Sequence, residues 1–224
     1  MTFSLAGRCA RTGRFGIVIS SSSPAVAARC AHVRAGVGAV CSQNITDPRL
    51  GPAALDLMAL GASAAAAVEI LVASRPHMDH RQLTAVDGKG CTATFSGSGT
   101  LGTWALKEGR DCVAAGNLLA HDGVPAVMAA AFEAAGGELG DRLIAALQAG
   151  HAAGGEAGPV HSAGLVMAGE EAWPITDLRV DWDEVDPIGR LAALWEVWKP
   201  QMDAYVQRAL EPVAAPSYGV PGDE

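Results

Sequence analysis

The residue with the most chemical promise is the second one. Thr2 directly follows the initiator methionine in the opening MTFSLAGR, a stretch that reads as a strand from its first residues, with no polar lead-in. Initiator methionine is ordinarily removed ahead of a residue as small as threonine. Removal would place a free α-amine beside the Thr2 hydroxyl. An α-amine titrates at about 7.7–8.0, roughly two units below a lysine, so a substantial fraction is neutral near pH 7 and can act as a base. Threonine with its own amine is a known way to activate a hydroxyl for attack on a carbonyl. Such a site needs its terminus fixed in a sheet, and it needs donors aimed at the oxyanion, each worth roughly 3–4 kcal/mol. Asn117, in AAGNLL, is the candidate donor, and Gln43 and Asn44 at the end of AGVGAVCSQN are others that would contact substrate. Ser4 shares a strand face with Thr2, as a wall of the site or an alternative hydroxyl.

Other reactive side chains carry two readings each. Cys41 precedes polar residues directly and would support a cysteine hydrolase, whereas a buried structural thiol is the plainer role. The cysteines at 9, 30, 41, 91 and 112 form no CxxC pair and no zinc spacing, so neither a disulfide framework nor a metal centre is expected. His161 opens a strand beside Ser162 with no third partner at a recognisable spacing, which favours a structural or substrate-contacting role. RPHMDHR places His77 and His80 around Asp79 without a helical i, i+4 pair, as in a solvated loop. Asp177, Arg179, Asp181 and Asp183 alternate, giving either an internal ion network or, at Arg179, a site for a substrate carboxylate. Trp195 and Trp198, with Leu191 and Leu194, form a packing or dimer stripe.

The elements that must position these groups come in blocks. Strands are expected over residues 2–7 and 15–23, joined by the turn ending at Gly13, and over 35–44. A helix pair follows at 54–60 and 64–74, then strands at 81–87 and 91–97, and another at 110–120. Helices at 124–135 and 139–154, strands at 161–169 and 173–182, a helix from Pro187 to Leu210 and an extended tail complete the chain. Short turns between consecutive strands favour antiparallel sheets with helices in their own layers. This gives an α+β, four-layer αββα sandwich of two antiparallel sheets between helix layers, with a three-layer sandwich as the competing form. One domain is expected over residues 1–212, with 213–224 as the tail.

Composition narrows the function classes. The chain has 224 residues, a net charge of −8 and no apolar run long enough for a membrane span. Acidic balance disfavours nucleic acid and anionic lipid, and the start lacks the pattern of a signal peptide. A cytoplasmic, homo-oligomeric protein acting on a small-molecule substrate is expected, with no cofactor and no metal.

MTFSLAGR, RTGRFG, VRAGVGAVCSQNITDPRLGP, AAGNLL and ITDLRVDW together resemble the family catalogued as domain of unknown function 1028. That resemblance implies an N-terminal nucleophile (Ntn) hydrolase-like αββα sandwich. The hairpin over 2–23 is also similar to the first hairpin of proteasome β-type subunits, which implies Thr2 as nucleophile with residues 20–23, Ser21 among them, near it. Two departures stand out: Cys9 occupies a position where many members carry aspartate, and no lysine lies in the second and third strands. Arg8, Arg29, Arg34 and Arg49 are candidate sources of positive charge. The reading is an Ntn-type amidohydrolase for a small amide, ureide or peptide-like substrate, with Thr2 and Asn117 catalytic and Ser4, Ser21, Gln43, Asn44, His161 and Arg179 binding substrate. The alternative is a catalytically silent binding or scaffold protein on the same fold.

Overall fold

The computed structural model describes residues 2–223. Its ten strands form two antiparallel sheets. The first sheet contains β1 (Thr2–Arg8), β2 (Phe15–Ser21), β7 (Ala105–Gly109), β8 (Cys112–Asn117), β9 (Ser162–Ala168) and β10 (Pro174–Val180), in the order β10-β9-β2-β1-β8-β7. The second contains β3 (Ala31–Arg34), β4 (Gly38–Asn44), β5 (Arg81–Asp87) and β6 (Thr92–Ser96), in that order.

Each sheet buries one face under helices and the other against its partner sheet. On the outer face of the first sheet, Phe3, Leu5, Val18, Ala114 and Leu165 pack on α4 (Val124–Ala134), α5 (Leu139–Ala152) and α6 (Pro187–Trp198). On the outer face of the second, Val40, Leu83 and Ala85 pack on α2 (Leu50–Ala59) and α3 (Ala64–Ser74). The four layers are therefore helix, sheet, sheet, helix, the αββα arrangement that the resemblance implied. Two-sided burial explains why β1, β2, β8 and β9 read as nearly continuous apolar or small-residue runs.

The helix layers are capped by short-range chemistry. Ser63 accepts from the Ala66 amide at the start of α3, Glu138 and Asp141 form a reciprocal capping box on α5, and Asp186 caps α6 with Pro187 behind it. Trp195 is buried against Gly140 and donates Nε1 to Asp141 at 2.8 Å, so Trp195 packs within the chain, whereas Leu194 of the same stripe is exposed.

The elements depart from the expected series in three places. The helix from Pro187 to Leu210 divides into α6 and α7 (Met202–Leu210), because Pro200 has no amide hydrogen to continue the ladder. A short helix, α1 (Val26–Cys30), and the strand β3 fill a stretch with no strong apolar period. β7 pairs with β8 at the sheet edge, where Lys107 and Glu108 blunt it and hide its strand pattern. No helix among the described residues is long and apolar enough to cross a membrane.

Candidate functional site

The space between the sheets changes character along its length. At one end Ala6, Phe15, Ile17, Ala39, Val86 and Val113 form an apolar cluster. Two to four residues further along the same strands, the inward positions become Thr2, Ser4, Ser21, Gln43, Gln82 and Asn117. Register brings them together: Thr2 lies opposite Asn117, Gln43 lies opposite Gln82, and Phe3 opposite Ser20 sets Thr2 level with Ser21. Ser4, Ser21, Gln82 and Asn117 are fully buried, and Thr2 is 5% exposed.

One backbone carbonyl orients the network. The Gly116 carbonyl can only accept, so the Gln82 atom at 3.1 Å must be its Nε2 donor, which also donates to Ser96 Oγ at 2.8 Å. Gln82 Oε1 then accepts from Gln43 Nε2 at 2.6 Å and from Asn117 Nδ2 at 3.2 Å. Gln43 Oε1 in turn accepts from Ser4 Oγ at 2.7 Å and from the Cys41 thiol at 3.4 Å. The Asn117 Oδ1 that this logic leaves over is buried and has no hydrogen-bond partner. The acceptor of Asn117 thus stands available beside Thr2, and only one of its two amide N–H groups is engaged by Gln82.

A second line of hydroxyls leads to a cation. Thr2 Oγ1 donates to Ser21 Oγ at 3.4 Å, Ser21 Oγ bonds Ser23 Oγ at 2.8 Å, and Ser23 Oγ accepts from Arg29 Nη2 at 2.8 Å. Arg29 on α1 is held by the carbonyls of Pro24 and Ala25. The other three candidate arginines pair elsewhere, Arg8 with Asp111, Arg34 with Asp56 and Arg49 with Asp47. Arg29 is therefore the candidate arginine that joins the hydroxyl line from Thr2.

Backbone strain concentrates at the same end. Ala25, Asn44 and Leu118 have φ of 51°, 72° and 51°, and they follow, respectively, the serine turn, Gln43 and Asn117. Left-handed geometry is costly for alanine and leucine, and such outliers gather where a site needs a particular side-chain direction.

The remaining candidates are placed away from Thr2. Asn44 turns outward, donating Nδ2 to the His80 carbonyl and accepting from the Leu101 amide, so it ties loops together. His161 stacks on Trp182 with ring centroids 4.5 Å apart, and its amide donates to the Ser21 carbonyl. Arg179 lies on the edge strand β10 between Asp177 and Asp181, at 3.8 and 3.9 Å, three strands from β1 and so about 14 Å away. Asp183 lies beyond that strand and caps the turn into α6. Cys41 is fully buried, and burial pushes its thiol well above the ordinary range, which leaves it a neutral donor to Gln43. His77, Asp79 and His80 occupy an exposed 3-10 turn.

Sequence reasoning missed Gln82 and Glu156. Gln82 carried a usable signal, a polar residue at the head of the apolar run QLTAV, at the strand end that meets Gln43. Glu156 sits after Gly154 and Gly155 with nothing local to mark it, yet it is buried and both its oxygens accept from the Ser22 amide, at 3.1 and 3.2 Å.

Fold and site together define a four-layer αββα protein whose N-terminal strand ends in a closed polar cluster between the sheets. The chain belongs to a family of unknown function, DUF1028, whose model matches residues 2–191. No curated protein matches the chain. A crystal structure of a family member from Silicibacter pomeroyi is similar over 88% of each chain, with a TM-score of 0.82 at 27% identity. Two structures of Anbu (ancestral beta-subunit) proteins are more distant. The protein from Yersinia bercovieri aligns over 92% of this chain and 97% of that one, with a TM-score of 0.41 at 11% identity. A Gly-1 mutant from Hyphomicrobium sp. strain MC1 aligns over 94% and 97%, with a TM-score of 0.38 at 10% identity. Scores this low carry nothing about chemistry.

Proposed function

We propose that the protein is an Ntn-type amidohydrolase that cleaves a C–N bond in a small amide, ureide or short peptide-like substrate. The observation that carries this reading is the convergence on Thr2 of Ser21, Asn117 and, through Ser4, the Gln43–Gln82 pair. All are buried, and all come from strands that are apolar elsewhere along the same inner face.

After removal of residue 1, Thr2 Oγ1 attacks the carbonyl carbon and its proton passes to the neutral α-amine of Thr2. The remaining Asn117 N–H supports the oxyanion, and collapse expels the amine, which takes that proton as it leaves. Water then attacks the resulting ester, giving up a proton to the same α-amine, and release of the carboxylic acid restores the hydroxyl. The line from Thr2 through Ser21 and Ser23 to Arg29 orients the hydroxyl. Asn117 Oδ1 is free to accept an N–H from the substrate, which suits amides and ureides over esters.

The test is a panel of small amides, ureides and dipeptides, assayed with the processed wild-type protein, Thr2→Ala and Thr2→Ser. Loss of turnover in Thr2→Ala with partial retention in Thr2→Ser supports the reading. Full activity in Thr2→Ala overturns it.

A further inference from the structure

Glu156 closes the end of β1. β1 lies between β2 and β8, and Thr2 is level with Ser21 on one side and Asn117 on the other. One step further out, the β2 side continues as Ser22 and the β8 side as Leu118 and Leu119. Glu156 holds both sides: its carboxylate takes the Ser22 amide, and its backbone forms an antiparallel bridge with Leu119. Flanking bonds from Ala120 N to the Gly155 carbonyl and from Ala157 N to the Leu118 carbonyl, both 3.0 Å, keep the segment in place.

The approach depends on two glycines. Gly154 and Gly155 adopt φ of 116° and 54°, which lets the chain turn back from α5, and a Cβ on Gly155 would stand 3.3 Å from the Phe3 ring. Glu156 is thereby held past the end of β1, between Ser22 on the β2 side and Leu119 on the β8 side.

From this placement we infer that Glu156 is the counter-ion of the Thr2 α-ammonium, a positioning residue that fixes the direction of the terminal amine. The inference rests on the proposed removal of residue 1, but it does not require Thr2 to be a nucleophile. A buried carboxylate facing only neutral groups is expensive, and a cation opposite it removes most of that cost. The electrostatics agree. Burial raises the Glu156 carboxyl to about 7, while its hydrogen bonds with Ser22 draw it down.

The experiment uses the processed full chain with 13C-labelled threonine and follows the Thr2 Cα resonance through pH 5–10, in wild type and in Glu156→Gln. Glutamine keeps an oxygen for the Ser22 amide, and Glu156→Asp serves as the conservative rescue. His151, beside Gly155, and His121, on the Ala153 carbonyl, flank the turn and are left intact. The expected result is that the amine binds its proton about tenfold more weakly in Glu156→Gln, with partial recovery in Glu156→Asp. The same shift is expected on an alanine-labelled Thr2→Ala background, which also exposes a free amine. An unchanged midpoint, or residue 1 still present by intact mass, overturns the inference. A Thr2→Ala protein that stays active while its amine still responds to Glu156→Gln sinks the nucleophile and leaves the pairing standing.

Discussion

The two ends of the inter-sheet space are built by the same strands and filled in opposite ways. β1 contributes Ala6 to one end and Ser4 and Thr2 to the other, β4 contributes Ala39 and then Gln43, and β5 contributes Val86 and then Gln82. The apolar end is ordinary core, where close packing and loss of water-exposed area stabilise the fold. The polar end gains less. A satisfied hydrogen bond nets only about 1 kcal/mol over its hydrated state, and apolar residues of the same shape would do as well or better. It also leaves Asn117 Oδ1 and Thr84 Oγ1 buried without partners. That the chain fills one end with isoleucine and phenylalanine and keeps glutamine, asparagine and strained turns at the other is what supports the proposed chemistry at the second end.

That contrast can be broken from either side. The largest effect is expected at Thr2: Thr2→Ala lowers kcat/KM by about a thousandfold or more, while costing no more than about 1.5 kcal/mol of stability. Steady-state assays paired with urea unfolding would show the two effects separating. Ile17→Ala at the apolar end does the reverse, removing about 3–4 kcal/mol of stability while the folded fraction keeps its specific activity. Glu156 gives a pH signature. Its carboxyl is raised from 4.5 to about 7 in the folded state, so the native protein binds more protons than the unfolded chain across that window. Its contribution is neutral below pH 4.5 and grows unfavourable as the pH rises toward 7. Denaturation from pH 4.5 to 8 should show this decline in wild type and a flatter profile in Glu156→Gln. The smallest effect is Gln82→Met, which leaves Gln43 Nε2 and Asn117 Nδ2 without their shared acceptor and costs about 2 kcal/mol by thermal melting.

Much of this arrangement is legible in the chain, for reasons that differ by element. The β1–β2 hairpin, β4 and the β5–β6 hairpin read clearly because small and apolar runs are punctuated by turn residues. β7 does not, because an exposed edge strand has no apolar period to show. Period two places Thr2 with Ser4, and Cys41 with Gln43, on one face. That these positions from two sheets meet at one end depends on inter-sheet register, which no local pattern encodes. Arg29 could be named only as one of four arginines, since its role depends on the turn of Ser21–Ala25 that α1 folds back upon. Glu156 was invisible, because its partner Ser22 lies 134 residues away.

The most direct measurement is time-resolved peptide mass mapping of the processed protein after exposure to an activated acetyl ester, with hydroxylamine treatment in parallel. Cys91 is exposed and free, so its acylation is the built-in control. The account predicts an acetyl group on Thr2 that forms faster than on Cys91, is removed by hydroxylamine as an ester, and is absent from Thr2→Ala. Acylation of Cys91 alone, or a hydroxylamine-resistant amide on the amine of Thr2, would contradict it.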